Sequence, residues 1–491
     1  MSGKINVAIQ AIAGHAIGTG HFARASAVAN ALCAYDDLAV TLVTTETASG
    51  LVDVCFQDAV DVLVLPDAEF VPRAVLKTLV DRGTAPSAVY LDQYGVMSAW
   101  EKTAFAAAVP LVAIDDLLEA DTADWIIRPI AGEMQSPQIN MLEGPSYLPL
   151  TADVTNTRSA EDEPVHKARR INICFGGSDP TGETLKALEA VSTLDWTEVD
   201  VVIGPRSQIT ATDLAKFAQL THVRFHHAPT QKQVVKLLRS ADLAIGAGGV
   251  MQWERLCIGV PSLVVTVAGN QNQQVAWMVK QGVIRWLGDH HQVTVELIRD
   301  ALTGLIDNQA ARMEMSRRGA ALVDGRGAMR IAAIIRAACF SVHPVVPDDA
   351  RDLYDWRTHA ANWQFNLSER ERPDFGSHVG WLESKLADPH CQFMIVLQGQ
   401  EPIAVVRFDI VADARQASLS IYLVPQHHGR KLGLAVYFAA ERALRKSHPS
   451  VVEVSSSIHV QNMASRRLHS DAGFLILPTD DPNWLVGRRS L

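Results

Sequence analysis

The chain has 491 residues, 48% of them hydrophobic and 20% charged, with a formal net charge of −10. That length calls for about three domains with ordinary buried cores, and the negative balance excludes bulk nucleic-acid binding while leaving room for local phosphate sites. No apolar run approaches about 18 residues without a charge or a glycine, so no membrane span is expected.

The first 155 residues alternate short apolar runs with helical patterns. Candidate strands are Asn6–Ala13, Ala39–Thr44, Val60–Val64, Ala88–Leu91, Leu111–Ile114 and Trp125–Arg128. Alternation of this kind predicts an α/β unit, a Rossmann-like parallel sheet with helices on both faces. Met1–Lys4 leads straight into the first run, so no signal peptide is expected. Between that run and the helical stretch Phe22–Tyr35 lies Gly18-Thr-Gly20-His21-Phe-Ala-Arg24. Glycines there permit a tight turn and close approach of a ligand. The helix that follows offers unpaired N–H groups and a positive dipole end, which suits phosphate. His21 sits in that mouth, and Arg24 follows one helical turn later on the same side. An imidazole beside an anion site suits a hydrolase of phosphate-activated sugars. Gly18-x-Gly20-x-x-Ala23 also fits a loose dinucleotide fingerprint, but the acidic residue that should follow about 20 positions on comes late, as Glu46 in a polar turn.

The polar stretch Thr151–Arg169 reads as a linker, and residues 165–340 form a second alternating unit. Its strands are Ile171–Phe175, Val199–Ile203, Val223–His226, Leu243–Gly246 and Ser262–Val267. Two such halves facing a cleft would bind ligands at the carboxyl ends of their strands. In the second half, one strand ends in Gly176-Gly177-Ser178 and another runs into Gly248-Gly249 and a helix. Those backbone amides suit a diphosphate. Glu254 either accepts hydrogen bonds from two ribose hydroxyls or merely complements its helix N-terminus. The amides Asn270-Gln271-Asn-Gln-Gln274 are a solvated turn or a set of neutral donors to a sugar.

Ser341-Val-His-Pro-Val-Val-Pro347 reads as an exposed linker, because its prolines break the preceding helix. A third unit, residues 345–491, then opens with helices. The strands Phe393–Leu397, Ile403–Ile410 and Ala417–Val424 follow, then a glycine turn, a helix from near Leu434, and a strand Val452–Ser456. The six cysteines (33, 55, 174, 257, 339, 391) are scattered with no C-x-x-C pair, so reduced, buried thiols and a cytoplasmic protein are expected. The pairs His226-His227, His290-His291 and His427-His428 are not expected to hold a metal, since neighbouring side chains on a strand point to opposite faces.

Taken together, Gly18-x-Gly20-His21-x-x-Arg24, Asp92-Gln-Tyr94, Asp115-Asp116, Phe175-Gly-Gly-Ser178, Gly248-Gly249 with Glu254, and Asn270-Gln271 resemble the UDP-sugar hydrolase family of pseudaminic acid biosynthesis. The resemblance runs in order through residues 5–335. It implies two Rossmann-like lobes of the glycosyltransferase-B type and metal-independent hydrolysis of UDP-2,4-diacetamido-2,4,6-trideoxy-β-L-altrose. It makes His21 the general base, with Tyr94 and Asn270 near the sugar. Gly20, Arg24, Gly176, Gly177, Ser178, Gly248, Gly249, Glu254 and Gln271 bind the UDP-sugar in this reading. Where that family carries an arginine and an aspartate upstream of its histidine, this chain has Gln10 and Ile12.

His428-Gly429-Arg430-Lys431-Leu-Gly433, followed by Asn462-x-x-Ser465 and Ala472-Gly-Phe474, resembles the GNAT acetyltransferase superfamily, with Lys431 at the first glycine of its cofactor loop. The resemblance implies that Leu423, Val424, His428, Gly429, Arg430, Lys431, Gly433, Leu434, Asn462 and Ser465 bind acetyl-CoA as co-substrate. It puts His469 where the family's tyrosine acid commonly stands. Trp356-Arg357 and His378-x-x-Trp381 resemble the acetyltransferase of the same pathway. Its product, acetylated on the 4-amine, is the hydrolase's substrate. Two readings from other classes stay open: a glycosyltransferase that passes the sugar to an acceptor, and a C-terminal module that binds without catalysing. No nucleic-acid or membrane partner is expected.

Overall fold

The computed structural model describes residues 4–12, 20–50, 52, 56, 59–130, 140–157, 167–194, 198–365, 371–411 and 415–491. Gly18 of the glycine loop lies outside them. The described strands form three sheets, and the chain divides into two compact units. Unit 1 holds residues 1–128, 136–142 and 329–491, and unit 2 holds 129–135 and 143–328.

The first sheet of unit 1 contains β1 (Ile5–Ala11), β2 (Leu38–Thr45), β3 (Asp61–Leu65), β4 (Ala88–Asp92), β5 (Leu111–Ile114), β6 (Trp125–Arg128) and β7 (Met141–Glu143), in the order β3-β2-β1-β4-β5-β6-β7. Neighbours from β3 to β6 pair in parallel. β1 and β4 are buried throughout most of their length, which is why both read as continuous apolar runs. Strand order reverses between β1 and β4, where Ala11 stands beside Asp92 in register. The helix Gly20–Cys33 and the loop after Asp92 therefore start from one crevice, the place where open α/β sheets take ligands.

Unit 2 repeats the plan with β8 (Arg170–Cys174), β9 (Glu198–Ile203), β10 (Val223–His227), β11 (Leu243–Ala247), β12 (Ser262–Thr266) and β13 (Arg285–Asp289). Its order is β10-β9-β8-β11-β12-β13, parallel throughout. Alternate residues feed two apolar layers. Ile171, Ile173, Val199, Val201, Leu243, Ile245, Leu263 and Val265 face one, while Cys174, Val202, Ala244 and Val264 face the other. Here the reversal falls between β8 and β11, with Gly246 beside Cys174. Both glycine loops named in the sequence leave from that reversal.

The third sheet belongs to unit 1 and runs β14 (Phe340–Pro344), β15 (Cys391–Gln398), β16 (Glu401–Ile410), β17 (Gln416–Leu423), β18 (Glu453–His459), β20 (Trp484–Ser490) and β19 (Leu475–Pro478). The stretch from Ser341 is thus a correction: it is no linker but an edge strand, antiparallel to β15 over five residue pairs. Pro344 is tolerated because it ends an edge strand. β17 and β18 pair in parallel only from Gln416–Ser418 to Glu453–Ser455. Beyond that, β17 stays with β16 and β18 with β20, so the two splay apart. Behind this sheet, buried Glu441 accepts from Arg445 at 2.8 Å and from Arg489. Burial would raise the Glu441 carboxyl, but Arg489 and Arg445 outweigh it and hold it below its ordinary value. Glu441→Gln is expected to destabilise this part of the fold by about 3–5 kcal/mol, because it removes the buried negative charge that Arg445 and Arg489 face. Since the folded carboxyl is the stronger acid, the deficit seen in thermal unfolding is full near neutral pH and shrinks as acid protonates Glu441.

The five described cysteines (33, 174, 257, 339, 391) are free thiols. Only Cys174 and Cys257 are buried, a correction to the expectation that all would be.

Candidate functional sites

In unit 1, the reversal point gathers His21 and Arg24 from the first turns of their helix with Asp92 at the end of β4 and Asp116 beyond β5. His21 Nδ1 lies 2.6 Å from Asp92 Oδ1. Arg24 reaches Asp92 Oδ1 at 2.7 Å and Oδ2 at 3.0 Å, and Asp116 Oδ2 at 2.6 Å. Asp92 is 1% exposed and His21 5%. Burial alone would raise the Asp92 carboxyl, but the Arg24 guanidinium and the hydrogen bond from His21 bring it below its ordinary value. Two groups approach His21 Nδ1: the Asp92 carboxylate at 2.6 Å and Arg24 Nη2, which can only donate, at 3.1 Å. The shorter contact, to an ionised carboxylate, assigns the proton to Nδ1, and the lone pair of the neutral ring is then on Nε2. Arg24 is 14% exposed; desolvation would lower its pKa, yet the two aspartates raise it well above the ordinary value. Arg24 is thereby engaged by two carboxylates, Asp92 and Asp116, with the imidazole held on Asp92.

Tyr94 packs edge-on against His21, with ring centroids 4.5 Å apart, and donates to Asp116 Oδ2 at 3.0 Å. Burial and Asp116 push its phenol up to about 12, so it is a donor and not a base. Gln10 donates to Gln93 Oε1 at 2.9 Å and is 1% exposed, while Ile12 packs against the core of this sheet. Asp115 is structural: it accepts from Glu119 and Ala120 N–H and pairs with Arg128. Sequence reasoning named Asp92 in a motif but gave it no role; the signal for one was a carboxylate ending a fully apolar strand.

In unit 2, the amides of Gly248 and Gly249 lead into the helix Val250–Ile258, whose N-cap makes no side-chain hydrogen bond. A side chain at Gly248 would meet Val275 Cγ2 at 2.3 Å, so this position requires glycine. Gln274 donates to Gly248 O at 2.6 Å and accepts from Trp253 Nε1 at 3.0 Å, which fixes the loop. Gln271 accepts from Val267 N at 3.2 Å and lies beside Gly249. Asn270 is exposed on the same turn. Gly176 has φ +93 and Gly177 accepts from Arg206 N, while Ser178 is partly exposed. Glu254 accepts from Gln231 at 2.8 Å through Oε1, while its buried Oε2 has no hydrogen bond. Burial raises its carboxyl to about 7. A helix-end charge complement would be solvated; a buried, half-satisfied carboxyl favours the hydrogen-bonding reading over that one.

In the third sheet, β17 ends at Leu423 with Val424 just after it, and the loop His427–Leu432 leads into the helix Gly433–Ser447, whose N-cap has no side-chain hydrogen bond. Gly433 and buried Leu434 open that helix. Gly429 has φ +79 and Lys431 φ +56. The left-handed conformation that the glycine motif demands is therefore kept by a lysine, at a cost of about 1–2 kcal/mol. Leu423 O accepts from Asn362 at 3.1 Å and lies 3.3 Å from His428 Nε2. Asn462 accepts from Ser465 N at 3.0 Å and caps the helix Met463–Ala472. His469, 1% exposed, holds its Nδ1 2.7 Å from Ser465 O, so its proton is on Nδ1. Burial lowers its pKa and keeps it neutral, with Nε2 an unpartnered acceptor. Protonating a thiolate would need the proton on the other nitrogen. The guanidiniums of Arg357 and Arg407 lie 4.6 and 5.3 Å from the Trp381 ring centre, and His378 is buried beside it. Trp356 is partly buried against the same cluster.

His226 and His227 lie on β10, as the strand-based expectation has it, but His290 and His291 do not lie on a strand. His290 and His291 lie in the turn after β13 with rings 3.7 Å apart, and their ligand atoms and that of Asp289 come within 4.8 Å of one another. His226 binds Asp200 at 2.8 Å, and His427 lies 3.2 Å from Glu401.

These features define a class: two Rossmann-like sheets of the glycosyltransferase-B type with a C-terminal GNAT acetyltransferase domain. Residues 341–475 match the acetyltransferase (GNAT) domain family. MurG of Acinetobacter baumannii has the same fold over 68% of this chain and 99% of its own, with a TM-score of 0.51 and 15% identity. The spore coat polysaccharide biosynthesis protein SpsG of Bacillus subtilis is 27% identical over 226 residues, which are 44% of this chain. The match spans 65% of that relative's length, just under two thirds. The uncharacterized protein MJ1062 of Methanocaldococcus jannaschii is 20% identical over 429 residues, 82% of this chain and 83% of its own. Among the described residues, no helix is long and apolar enough to cross a membrane.

Proposed function

We propose that the chain is a bifunctional nucleotide-sugar enzyme of pseudaminic acid biosynthesis. It acetylates the 4-amine of UDP-4-amino-4,6-dideoxy-N-acetyl-β-L-altrosamine and then hydrolyses the product to UDP and the free sugar. The observation that carries the hydrolase half is the Nδ1–Asp92 bond, which leaves the His21 Nε2 lone pair to act as a base. The likeness to a protein named for polysaccharide biosynthesis supports sugar chemistry.

In this reading a water oxygen bonds to C1 as the bond from C1 to the UDP oxygen breaks. His21 takes the water's proton and passes it to solvent, and UDP departs as a stabilised anion, so no strong acid is needed. Residues of unit 2 hold the nucleotide: the amides at Gly248 and Gly249 and the helix dipole take the diphosphate, and Glu254 takes the ribose. Glu254→Gln is then expected to weaken UDP binding about tenfold, the loss of one hydrogen bond to a charged group. The native chain should bind UDP more tightly as pH rises through about 7, where Glu254 ionises, and the variant should not. Titration calorimetry at either side of neutrality checks this, and equal slopes for the two proteins would reject the ribose role.

For the acetyltransferase half, the splay of β17 from β18, the left-handed Gly429 and the uncapped helix at Gly433 fit the thioester arm and diphosphate of acetyl-CoA. Acetyl-CoA supplies the acetyl group as a thioester. Leu423, Val424 and the loop through Leu434 would hold it, with Asn462 and Ser465 at its far side. Incubation with acetyl-CoA and the 4-amino UDP-sugar, read by mass and NMR, should give free CoA, then UDP and the diacetamido sugar. Neither product, in the presence of folded protein, would refute the reading.

A further inference from the structure

We infer that the turn leading into β2 builds part of the acyl-CoA site, with Asp37 as the residue that positions the cofactor loop. This rests on the acetyltransferase reading above. The turn Tyr35–Asp37 lies just past the C-terminal end of the helix that carries His21 and Arg24 at its start. It meets the loop His427–Leu432 directly. Lys431 Nζ donates to Ala34 O at 3.0 Å. Arg336, fully buried, stacks on Tyr35 at 4.6 Å, pairs with the Asp37 carboxylate and donates to Arg430 O at 3.3 Å. The same carboxylate oxygen takes Gln398 Nε2 at 3.5 Å and stands 3.7 Å from the Arg430 guanidinium.

This accounts for the departure from the acyl-CoA motif at Lys431. The side chains of Arg430 and Lys431 turn away from the role of phosphate contacts and become tethers. Their loop keeps a positive φ at Gly429 and at Lys431, where it is strained. A strained loop persists only where its surroundings over-determine it, and Asp37 with Arg336 is what over-determines this one. A cavity of about 400 Å³ lined by Lys4, Tyr35, Asp37, Glu401, Arg430 and Lys431 adjoins the loop. Asp37 is thus a positioning residue for a reaction it does not touch.

The test is acetyl-CoA binding by titration calorimetry to the full chain, with UDP release from the diacetamido UDP-sugar as a parallel readout. Asp37→Asn is isosteric and replaces a part-exposed group. It should weaken acetyl-CoA binding about tenfold and raise its KM alike, with kcat at saturation, the acceptor's KM and UDP release unchanged. Asp37→Glu should recover part of the loss. Unaltered acetyl-CoA affinity in Asp37→Asn would overturn the inference alone. So would a parallel fall of acetyl-CoA binding, UDP release and thermal stability, which would mark a purely structural role. An unsubstituted chain that binds no acetyl-CoA would overturn the inference together with the acetyltransferase reading.

Discussion

His21→Ala should slow UDP release from the diacetamido UDP-sugar by about three orders of magnitude, within the range that a positioned general base contributes. UDP affinity should stay close to that of the unsubstituted chain, because the groups assigned to the nucleotide belong to unit 2. The fold should survive: the ring is buried, but its one strong partner, Asp92, keeps Arg24. Acetyl transfer to the 4-amino sugar should continue, so the variant should accumulate the diacetamido UDP-sugar, detectable by mass. Steady-state UDP release with the same kcat in both proteins would remove His21 from the chemistry.

Asp92→Asn is expected to cost about as much in kcat, for a different reason. An amide at position 92 no longer demands a proton on Nδ1, and its NH2 group donates to Nδ1 instead, which moves the proton to Nε2. The base is then blocked by its own proton. Arg24, held between Asp92 and Asp116, also loses one of its two countercharges. Substrate KM should change far less than kcat. Nitrogen-resolved NMR of the ring reads the tautomer directly: Nδ1–H in the native chain, Nε2–H in Asp92→Asn. A native ring already protonated on Nε2 would contradict the derivation.

Much of the architecture is legible in the chain because parallel strands buried on both faces are nearly continuous apolar runs. Leu111–Ile114 and Trp125–Arg128 match their strands residue for residue. The misses share a physical cause. β7 is three residues long, β13 carries Gly288 at φ +127, and β14 ends in a proline, so none has the pattern of a buried strand. β19 and β20 lie at the far edge of the third sheet, where one-sided burial dilutes the apolar signal. The site is legible in the same uneven way. A histidine after a glycine turn announces itself locally. Its partner Asp92 is 71 positions away, and only the parallel pairing of β1 with β4 brings the two together. The seam at Asp37 was invisible for the same reason: its partners, Gln398 and Arg336, are 361 and 299 positions distant.

The most direct measurement of the central claim is hydrolysis of the diacetamido UDP-sugar by the purified chain in oxygen-18 water, with both products analysed by mass and phosphorus NMR. Attack by a His21-activated water on the anomeric carbon predicts the heavy oxygen on C1 of the released sugar and unlabelled UDP, with no added acceptor. Label in the terminal phosphate of UDP, or UDP release only when an acceptor is supplied, would contradict it.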